Sequence, residues 1–585
     1  MNIIGISALF HDSAACILQN GILTAAAQEE RFSRKKHDPS FPRCAFSHCL
    51  QEAGLSIAEI DCVAYYENPR KKLERQIWMS LPNLSEELCV QLWRRARHPI
   101  DTIRNLLGYD GPIEVVDHHE AHAASAFYFS GFKDAAIMTV DGVGEWATTS
   151  YSRGMGDDIE LLEEVHFPHS IGLLYSTLTS YIGFSVNDGE YKVMGLAPYG
   201  EPRYVSQLHK LIQLDASGQY RLNMEYFDFS SRSLMYTDSL VDLFGQPPRK
   251  AESEITQFHK DVARSLQCVL EEALLTIAEH LHAKTGSENL CMAGGVALNC
   301  VANGKILRQG PFRHIFVQPA AGDAGTSLGA AAIAHRRLTG KRPQLEAMQH
   351  AYLGPGFSPD DIYKLLSATS LKAEDYRGRE RALLEAVVER LVGGKVVGWF
   401  HGRMEFGPRA LGARSILADP RDATMRDRIN ALVKKRESFR PFAPAVLQSK
   451  ADEYFDLDHA SPFMLEVCQV KNTLDLPAIT HVDGSARVQT VDAQTNPRFL
   501  RLIELFGQHT GCPILLNTSF NMRDEPIVCD PADALLCFTR SDIDTLVLED
   551  FLIDRSGLPA VWEELFRRAV VYNTPAVSDV VYTLL

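Results

Sequence analysis

AAIMTVDGVGEWATTSYS, residues 135–152, decides how the rest of the chain is read. The apolar run from Ala135 to Val140 predicts a buried strand, Asp141-Gly142-Val143-Gly144 a polar turn, and Ala147 to Ser152 a returning strand. A turn at Gly154 and a third run from Ile159 to Val165 complete the unit. The N-terminus has the same grammar in NIIGISALFHDSAACILQNGILTAAA, residues 2–27. Residues 2 to 7 are apolar, Phe10-His11-Asp12-Ser13 is a turn, Ala14 to Leu18 returns, and Gln19-Asn20-Gly21 leads by a hairpin into Ile22 to Ala27. Two copies of one strand, turn and hairpin predict a duplicated α/β fold closing on a nucleotide between the halves.

Just upstream of the first stretch lies an Ala-rich segment that should be helical. It carries His118 and His122 four residues apart, so both imidazoles leave one helix face and can grip one metal ion. Asp141, at a strand end and followed by Gly-Val-Gly, can approach a ligand that the helix already holds. The stretch therefore reads as a metal and phosphate site. At the level of fold it resembles the actin-like ATPases and sugar kinases, a likeness that says nothing yet of chemistry.

At 585 residues the chain exceeds one hydrophobic core, and its length predicts two to four domains. Hydrophobic content of 45% and charged content of 23% are those of an ordinary globular protein. A net charge of −15 argues against a nucleic-acid coat or a membrane-surface protein. The 12 cysteines are scattered singly with no Cys-x-x-Cys pair, which suits reduced thiols in the cytoplasm. Neither a basic, apolar leader nor a run near the ~18 apolar residues of a membrane span is present, so a cytoplasmic location is expected.

Residues 65 to 110 carry mixed charge, with Arg70-Lys71-Lys72 and Arg94-Arg95-Ala96-Arg97, and read as solvated helices of an insertion that could shape an acceptor pocket. Helical periodicity over 257 to 284 leads into a strand and a glycine pair, Gly294-Gly295, before Asn299. A second strand, Ile315 to Val317, runs into a turn ending at Asp323-Ala324-Gly325. Two strand-turn-helix starts in succession expose backbone N–H groups and look like one nucleotide cradle. Lys, Arg, Pro and Gly between Arg336 and Phe357 mark a domain boundary. Beyond it, Lys395 to Ala445 holds 11 Lys plus Arg against 5 Asp plus Glu, an excess of +6 in an acidic chain. Arginines beside Gly and Pro, as in Gly407-Pro408-Arg409, Arg414-Ser415 and Phe439-Arg440-Pro441, suit bidentate recognition of small phosphates better than a nucleic-acid face. Arg487 follows a glycine turn, and a buried strand from Pro513 ends in Asn517-Thr518-Ser519.

Six segments in order, GISALFHDSAA (5–15), EERFSRKKH (29–37), HHEAHAASAF (118–127), KVMGLAPYG (192–200), GGVALNCVANG (294–304) and GPRALGARSI (407–416), resemble the O-carbamoyltransferases of antibiotic and nodulation-factor biosynthesis. The resemblance implies a Kae1-like carbamoyl-transfer domain over 1–345 and a YrdC-like domain over 358–585. In the latter, ATP and carbamoyl phosphate give carbamoyl-AMP, which then donates to an alcohol. Carried over residue by residue, His118, His122, Asp141 and Asp323 are metal ligands, the family metal being Fe²⁺ or another divalent transition ion. His11 is the expected general base, its ordinary pKa near 6.5 suiting the task. Lys36, Glu190 and Lys192 are expected to contact nucleotide or carbamoyl groups, with Gly294, Gly295 and Asn299 in the cradle. Arg409, Lys434, Arg440, Arg487, Asn517 and Ser519 match the adenylate-forming site, where Mg²⁺ accompanies ATP. The expected partner is a small-molecule alcohol, with no nucleic acid and no membrane; a homo-oligomer is left open. A tRNA threonylcarbamoyl transferase and a non-catalytic nucleotide- and metal-binding regulatory protein are the competing readings.

Overall fold

The computed structural model of the chain describes residues 1–81, 85–230, 234–343, 346–434, 437, 439–471 and 473–562; the side chain of Lys434, an expected phosphate contact, lies outside the described residues. The chain forms two compact units. The first comprises Met1–Glu29 and His37–Met348, the second Glu30–Lys36 and the described residues from Gln349 on.

The first unit is built on two sheets of one plan. Strands β1 (Asn2–Ser7), β2 (Ala14–Gln19), β3 (Ile22–Gln28), β4 (Cys62–Tyr65) and β5 (Ile113–Val115) lie in the order β3-β2-β1-β4-β5. After β6 (Asp134–Val140), β7 (Ala147–Met155) and β8 (Asp158–His166) comes a small pair, β9 (Ile212–Leu214) and β10 (Tyr220–Leu222). The second sheet then adds β11 (Asn289–Ala293) and β12 (His314–Val317), giving the order β8-β7-β6-β11-β12. In each sheet the first three strands are antiparallel neighbours and the next two run parallel to the first. This is the duplicated plan of actin-like ATPases and sugar kinases. The central strands are apolar throughout because helices cover them, and β1 is buried from Ile3 to Ser7.

Each sheet ends in a helix that starts with a candidate ligand. His118–Phe127 follows β5 and Asp323–Thr339 follows β12. The two helices touch backbone to backbone: a Cβ on Gly329 would lie 1.7 Å from the carbonyl oxygen of Ala121. Gly329→Ala is therefore expected to push the helices apart and cost about 3 kcal/mol or more, read as a lowered urea midpoint. Gly154 does not make the turn that its residue type suggested. It sits inside β7, where a Cβ would meet the Phe127 ring at 2.5 Å, and the chain reverses at Gly156 instead. The charged insertion folds as two helices, Pro69–Ser80, capped by Asn68, and Glu86–Leu107, capped by Ser85.

The second unit is a mixed sheet with helices. Its strands are β13 (Glu374–Asp375), β14 (Val397–Phe400), β15 (Arg414–Ala418), β16 (Ala443–Leu447), β17 (Cys468–Gln469), β18 (Ser485–Ala486), β19 (Gln489–Val491), β20 (Ile514–Ser519), β21 (Thr545–Leu548) and β22 (Phe551–Asp554). Eight of them form the order β13-β22-β21-β14-β15-β20-β16-β19, and β17 pairs with β18. Three helices begin with proline behind a polar cap: Ser358 before Pro359, Asn496 before Pro497, Asp530 before Pro531. Their apolar faces join Trp399, Phe400, Leu516 and Phe538 in one core. Residues 30 to 36 pack here as well. Phe32 lies against Met404, Ala410, Ile527 and Cys529, and Arg34 donates to the carbonyls of Pro526 and Ile527.

Candidate active site

Four equivalent places of the duplicated fold converge in the first unit: the turns after β1 and β6, and the starts of the two terminal helices. The helix spacing puts His118 and His122 on one face, with ring centroids 4.6 Å apart. Asp141 ends the run of β6 and Asp323 opens its helix. One ligand atom from each of these four residues lies within 4.8 Å of all the others. His118 Nε2 is 3.3 Å from Asp141 Oδ2, and the Nε2 atoms of His118 and His122 are each 3.7 Å from Asp323 Oδ1. His122 is fully buried, and neither of its ring nitrogens has a hydrogen-bond partner. Burying imidazole nitrogens without partners is costly, and a divalent cation between the two rings and the two carboxylates satisfies one nitrogen of each ring. The residues present fit a metal.

The charges say the same. Burial opposes a cation at His118, but Asp323 and Asp141 outweigh it and hold the imidazole up at about 9. Burial opposes charge on Asp141 as well, yet its hydrogen bond to His118 and the field of His122 keep the carboxyl well below the usual range. A proton on His118 therefore competes with a metal for the same nitrogen. Apparent metal affinity is expected to rise about tenfold per pH unit up to about pH 9, one proton leaving His118 per ion bound. Calorimetric titration in buffers of differing ionisation enthalpy counts that proton.

Gly295 orients Asp141, its N–H donating to Oδ1 at 2.8 Å, while Gly294 (φ +91°) comes so close that a Cβ would meet the Val140 carbonyl oxygen at 2.2 Å. Glu145 holds the other side of the cluster. Its carboxylate accepts from the backbone N–H of His118 at 3.0 Å and of Asn68 at 2.6 Å.

His11 lies in the β1 turn with Nε2 3.7 Å from Asp323 Oδ2 and Nδ1 3.0 Å from Asp12 Oδ2. Asp12 is shared with His37, whose Nδ1 is 2.8 Å from Oδ1. The expectation of an ordinary pKa for His11 does not hold. Burial disfavours its cation, but Asp323 and Asp12 together raise it to about 9.

The remaining expected contacts of the first unit are placed as follows. Glu190 opens the helix Glu190–Leu196 and accepts from Ser176 Oγ and the N–H groups of Asn187 and Gly189. Lys192 is buried, its ammonium 6.0 Å from the Phe184 ring centre. Asn299 caps the helix Cys300–Gln309 and exchanges two hydrogen bonds with Gln267, so its amide serves the fold. Lys36 belongs to the second unit, although it precedes most of the first in the chain.

In the second unit β15 and β20 pair with Ser415 opposite Ser519 and Leu417 opposite Asn517. Asn517 Nδ2 donates to Gln489 Oε1 at 2.8 Å and to the Ala410 carbonyl, while its buried Oδ1 has no partner. Gln489 Nε2 reaches the Leu411 carbonyl at 2.7 Å. These bonds fix one side of the loop that carries Arg409. Ser519 donates to Asn521 Oδ1, Arg440 stands 3.6 Å from Glu437, and Arg487 lies between β18 and β19.

Residues 2–332 match the profile described as carbamoyltransferase N-terminus, and residues 388–555 the one described as carbamoyltransferase C-terminus. The chain belongs to the carbamoyltransferase family. A relative from Synechocystis sp. named only as uncharacterized protein sll1178 is 46% identical over 97% of this chain and 99% of its own. Nodulation protein NolNO of Sinorhizobium fredii is 41% identical over 95% and 81%. The 3'-hydroxymethylcephem-O-carbamoyltransferase of Amycolatopsis lactamdurans is 34% identical over 53% and 58%.

In this carbamoyltransferase several residues outside the expected set hold the functional ones. Asp12 has a signal, an acid beside the expected base. Glu145 lies inside the stretch that decides the fold. Glu405 has none: its Oε1 accepts from the N–H groups of Leu411, Ala413 and Arg414, a clamp visible only once the loop is folded. Fully buried Arg414 works from the other side, donating to the carbonyls of Pro355, His401, Gly402, Ala413 and Cys529. Among the described residues no helix is long and apolar enough to cross a membrane, and all 12 cysteines are free.

Proposed function

We propose that this carbamoyltransferase moves a carbamoyl group from carbamoyl phosphate, through carbamoyl-AMP, to the hydroxyl of a small natural product. The observation that carries the reading is the two-histidine, two-carboxylate cluster with His11 against it, in a chain whose profiles are both halves of the family. The hydroxyl acceptor is supported by the cephem relative, whose name states O-carbamoylation.

The adenylate step belongs to the second unit. Water cleaves carbamoyl phosphate to carbamate and inorganic phosphate; a carbamate oxygen then attacks the α-phosphorus of ATP and pyrophosphate leaves. Arg409, Arg440 and Arg487, with Lys36 and Lys434, spread the charge of the phosphates, and Mg²⁺ neutralises the rest. Asn517 and Ser519 offer polar groups at the strand end.

Transfer belongs to the first unit. His118, His122, Asp141 and Asp323 would hold a divalent transition metal, Fe²⁺ being the first choice, which when bound supplies Lewis acidity toward phosphate or carbamoyl oxygens. Asp12 orients His11 through Nδ1, leaving Nε2 to take the proton of the acceptor hydroxyl. In taking that proton the imidazole becomes the cation that Asp323 and Asp12 stabilise. The alcohol oxygen then bonds to the carbamoyl carbon and AMP leaves. Glu190 and Lys192 support the adenylate from their helix, and Gly294-Gly295 from the cradle.

Pyrophosphate release measured with ATP, with and without carbamoyl phosphate, tests the reading. Release that requires carbamoyl phosphate and proceeds without any alcohol is expected; release indifferent to carbamoyl phosphate overturns it. The same assay answers the competing readings, since a regulatory protein releases none and a threonylcarbamoyl transferase requires threonine.

A further inference from the structure

Strands β1 and β4 run side by side with Gly5 opposite Ala64 and Ile6 opposite Tyr65, and the N–H of Tyr66 continues the ladder to the Ile6 carbonyl at 3.2 Å. Successive side chains of a strand leave it on opposite faces, so the two tyrosines part company. Tyr65 is provided for: its hydroxyl donates to the Ala8 carbonyl at 3.2 Å, with Glu67 Oε1 at 3.3 Å. Tyr66 is not. It is fully buried, and its Oη has no hydrogen-bond partner among the described residues. Such a hydroxyl weakens the fold, and phenylalanine would fill the same space without that cost.

The face from which Tyr66 leaves is the one covered by the helix Asp323–Thr339. Tyr66 lies two residues beyond Ala64 and so shares the face of Ala64 and of its neighbour Gly5. A Cβ on Gly5 would lie 1.9 Å from the Ser327 carbonyl oxygen, which puts that helix directly over this face. The helix runs back along β1: Asp323 stands beside His11, just past the end of the strand, and His335 beside Gly21, at the hairpin next to the start of the strand. Two residues forward along a strand is about 6.6 Å, and four residues back along a helix, from Ser327 to Asp323, is about 6 Å. Tyr66 therefore lies under the first turn of the helix, where Asp323 enters the metal cluster. Its ring meets the His118 ring edge to face with centroids 5.4 Å apart. Burial first, and then the charges of Glu67 and Asp323 among its neighbours, hold the phenol well above its ordinary pKa, so it stays an O–H donor.

We propose that Tyr66 is a substrate-binding residue of the transfer site, its O–H donating a hydrogen bond to an oxygen of the carbamoyl adenylate at the cluster of His118, His122, Asp141 and Asp323. The carboxylates whose charge reaches the phenol, Glu67, Asp323 and Glu145, make no hydrogen bond with it, so the donor is left for an acceptor that is not part of the chain. The adenylate has two such acceptors. Its carbamoyl oxygen gains negative charge as the alcohol attacks, and its phosphoryl oxygens gain it as AMP leaves; a donor already fixed in a buried place meets that charge without reorganising. This inference rests on the proposed transfer from carbamoyl-AMP and adds to it a residue that touches the transferred group or the phosphate beside it.

The full chain loaded with Co²⁺ tests the contact through the visible spectrum of the cobalt, titrated with AMP, which offers the phosphoryl oxygens, or with bicarbonate, which offers those of a carbamate. At least one of the two is expected to change the spectrum saturably. Tyr66→Phe should weaken that binding about tenfold and leave Co²⁺ affinity, by calorimetry, within about threefold. The probe that weakens names the oxygen. In the metal-free chain the same variant should unfold at the urea concentration of the wild type or a higher one, since it loses a hydroxyl that had no partner. Tyr65→Phe is the control: it removes a bonded hydroxyl, should lower the urea midpoint, and should leave the binding of AMP and bicarbonate unchanged. A lowered midpoint for Tyr66→Phe, the result that a trapped water bonded to the phenol would give, overturns the proposal. So does anion binding that Tyr66→Phe leaves intact, or a wild-type spectrum that neither probe changes. Failure of the reading beneath it is separate, since that appears as pyrophosphate release from the wild-type chain indifferent to carbamoyl phosphate.

Discussion

His122→Ala is expected to abolish metal binding and to lower transfer to an alcohol by about a thousandfold or more, while pyrophosphate release from ATP and carbamoyl phosphate continues. The size of the effect follows from the place of this side chain. His122 is fully buried, and its nitrogens are bonded to nothing in the protein, so its imidazole does no structural work that hydrogen bonds would show. Alanine there removes a ligand and leaves a cavity, costing about 1 to 3 kcal/mol, a loss that a folded chain of this size survives. Metal content by elemental analysis, measured beside both half-reactions, reads the outcome. Retention of one metal per chain, or an equal loss of both half-reactions, would remove the division of labour between the two units.

Much of this cluster was legible in the sequence, and the reason is periodicity. His118 and His122 are a helix turn apart, and Asp141 ends an apolar run, so helix and strand geometry alone aim three ligands. The duplication was legible because both copies begin with an apolar strand and a polar turn. Its completion was not. β4 and β5 are only Cys62–Tyr65 and Ile113–Val115, too short for a pattern, and the insertion between them hides that they belong to one sheet. Gly154 misled because a glycine can mark a turn or a close approach, and only the Phe127 ring shows which. The pKa of His11 was likewise beyond reach. It is set by Asp323, which lies more than three hundred residues away in the chain and next to it in space. The assignment of Lys36 to the second unit has the same origin, since the packing of Phe32 and Arg34 is a fact of tertiary structure.

The charged cluster between Lys395 and Ala445 stood out by composition, but composition treats its arginines alike, and the fold does not. Arg409 and Arg440 are half-buried, whereas Arg414 is wholly buried and bonded to five carbonyls, with Phe400 stacked 3.6 Å from its guanidinium carbon. Burial pulls this guanidinium below its ordinary value, with Glu405 nearby acting in the other direction. A cation in that position is a structural rivet for the loop from Gly402 to Ala413, with Glu405 Oε1 gathering the N–H groups on the opposite side. Arg414→Met keeps the length and the apolar stem but strands the carbonyls, and it is expected to cost about 3 to 5 kcal/mol. Because the loop presents Arg409, carbamoyl phosphate-dependent pyrophosphate release should fall by about a hundredfold even where the variant remains folded, as a 1 Å displacement of a catalytic group suffices for that. Arg414→Lys should recover little, since an ammonium cannot reach carbonyls on both sides of the planar fork. Thermal melting monitored by circular dichroism gives the first quantity and the pyrophosphate assay at a temperature well below melting gives the second. A folded Arg414→Met chain with wild-type release would show that Arg409 needs no such rivet, and the adenylate step would have to be carried by arginines outside this loop.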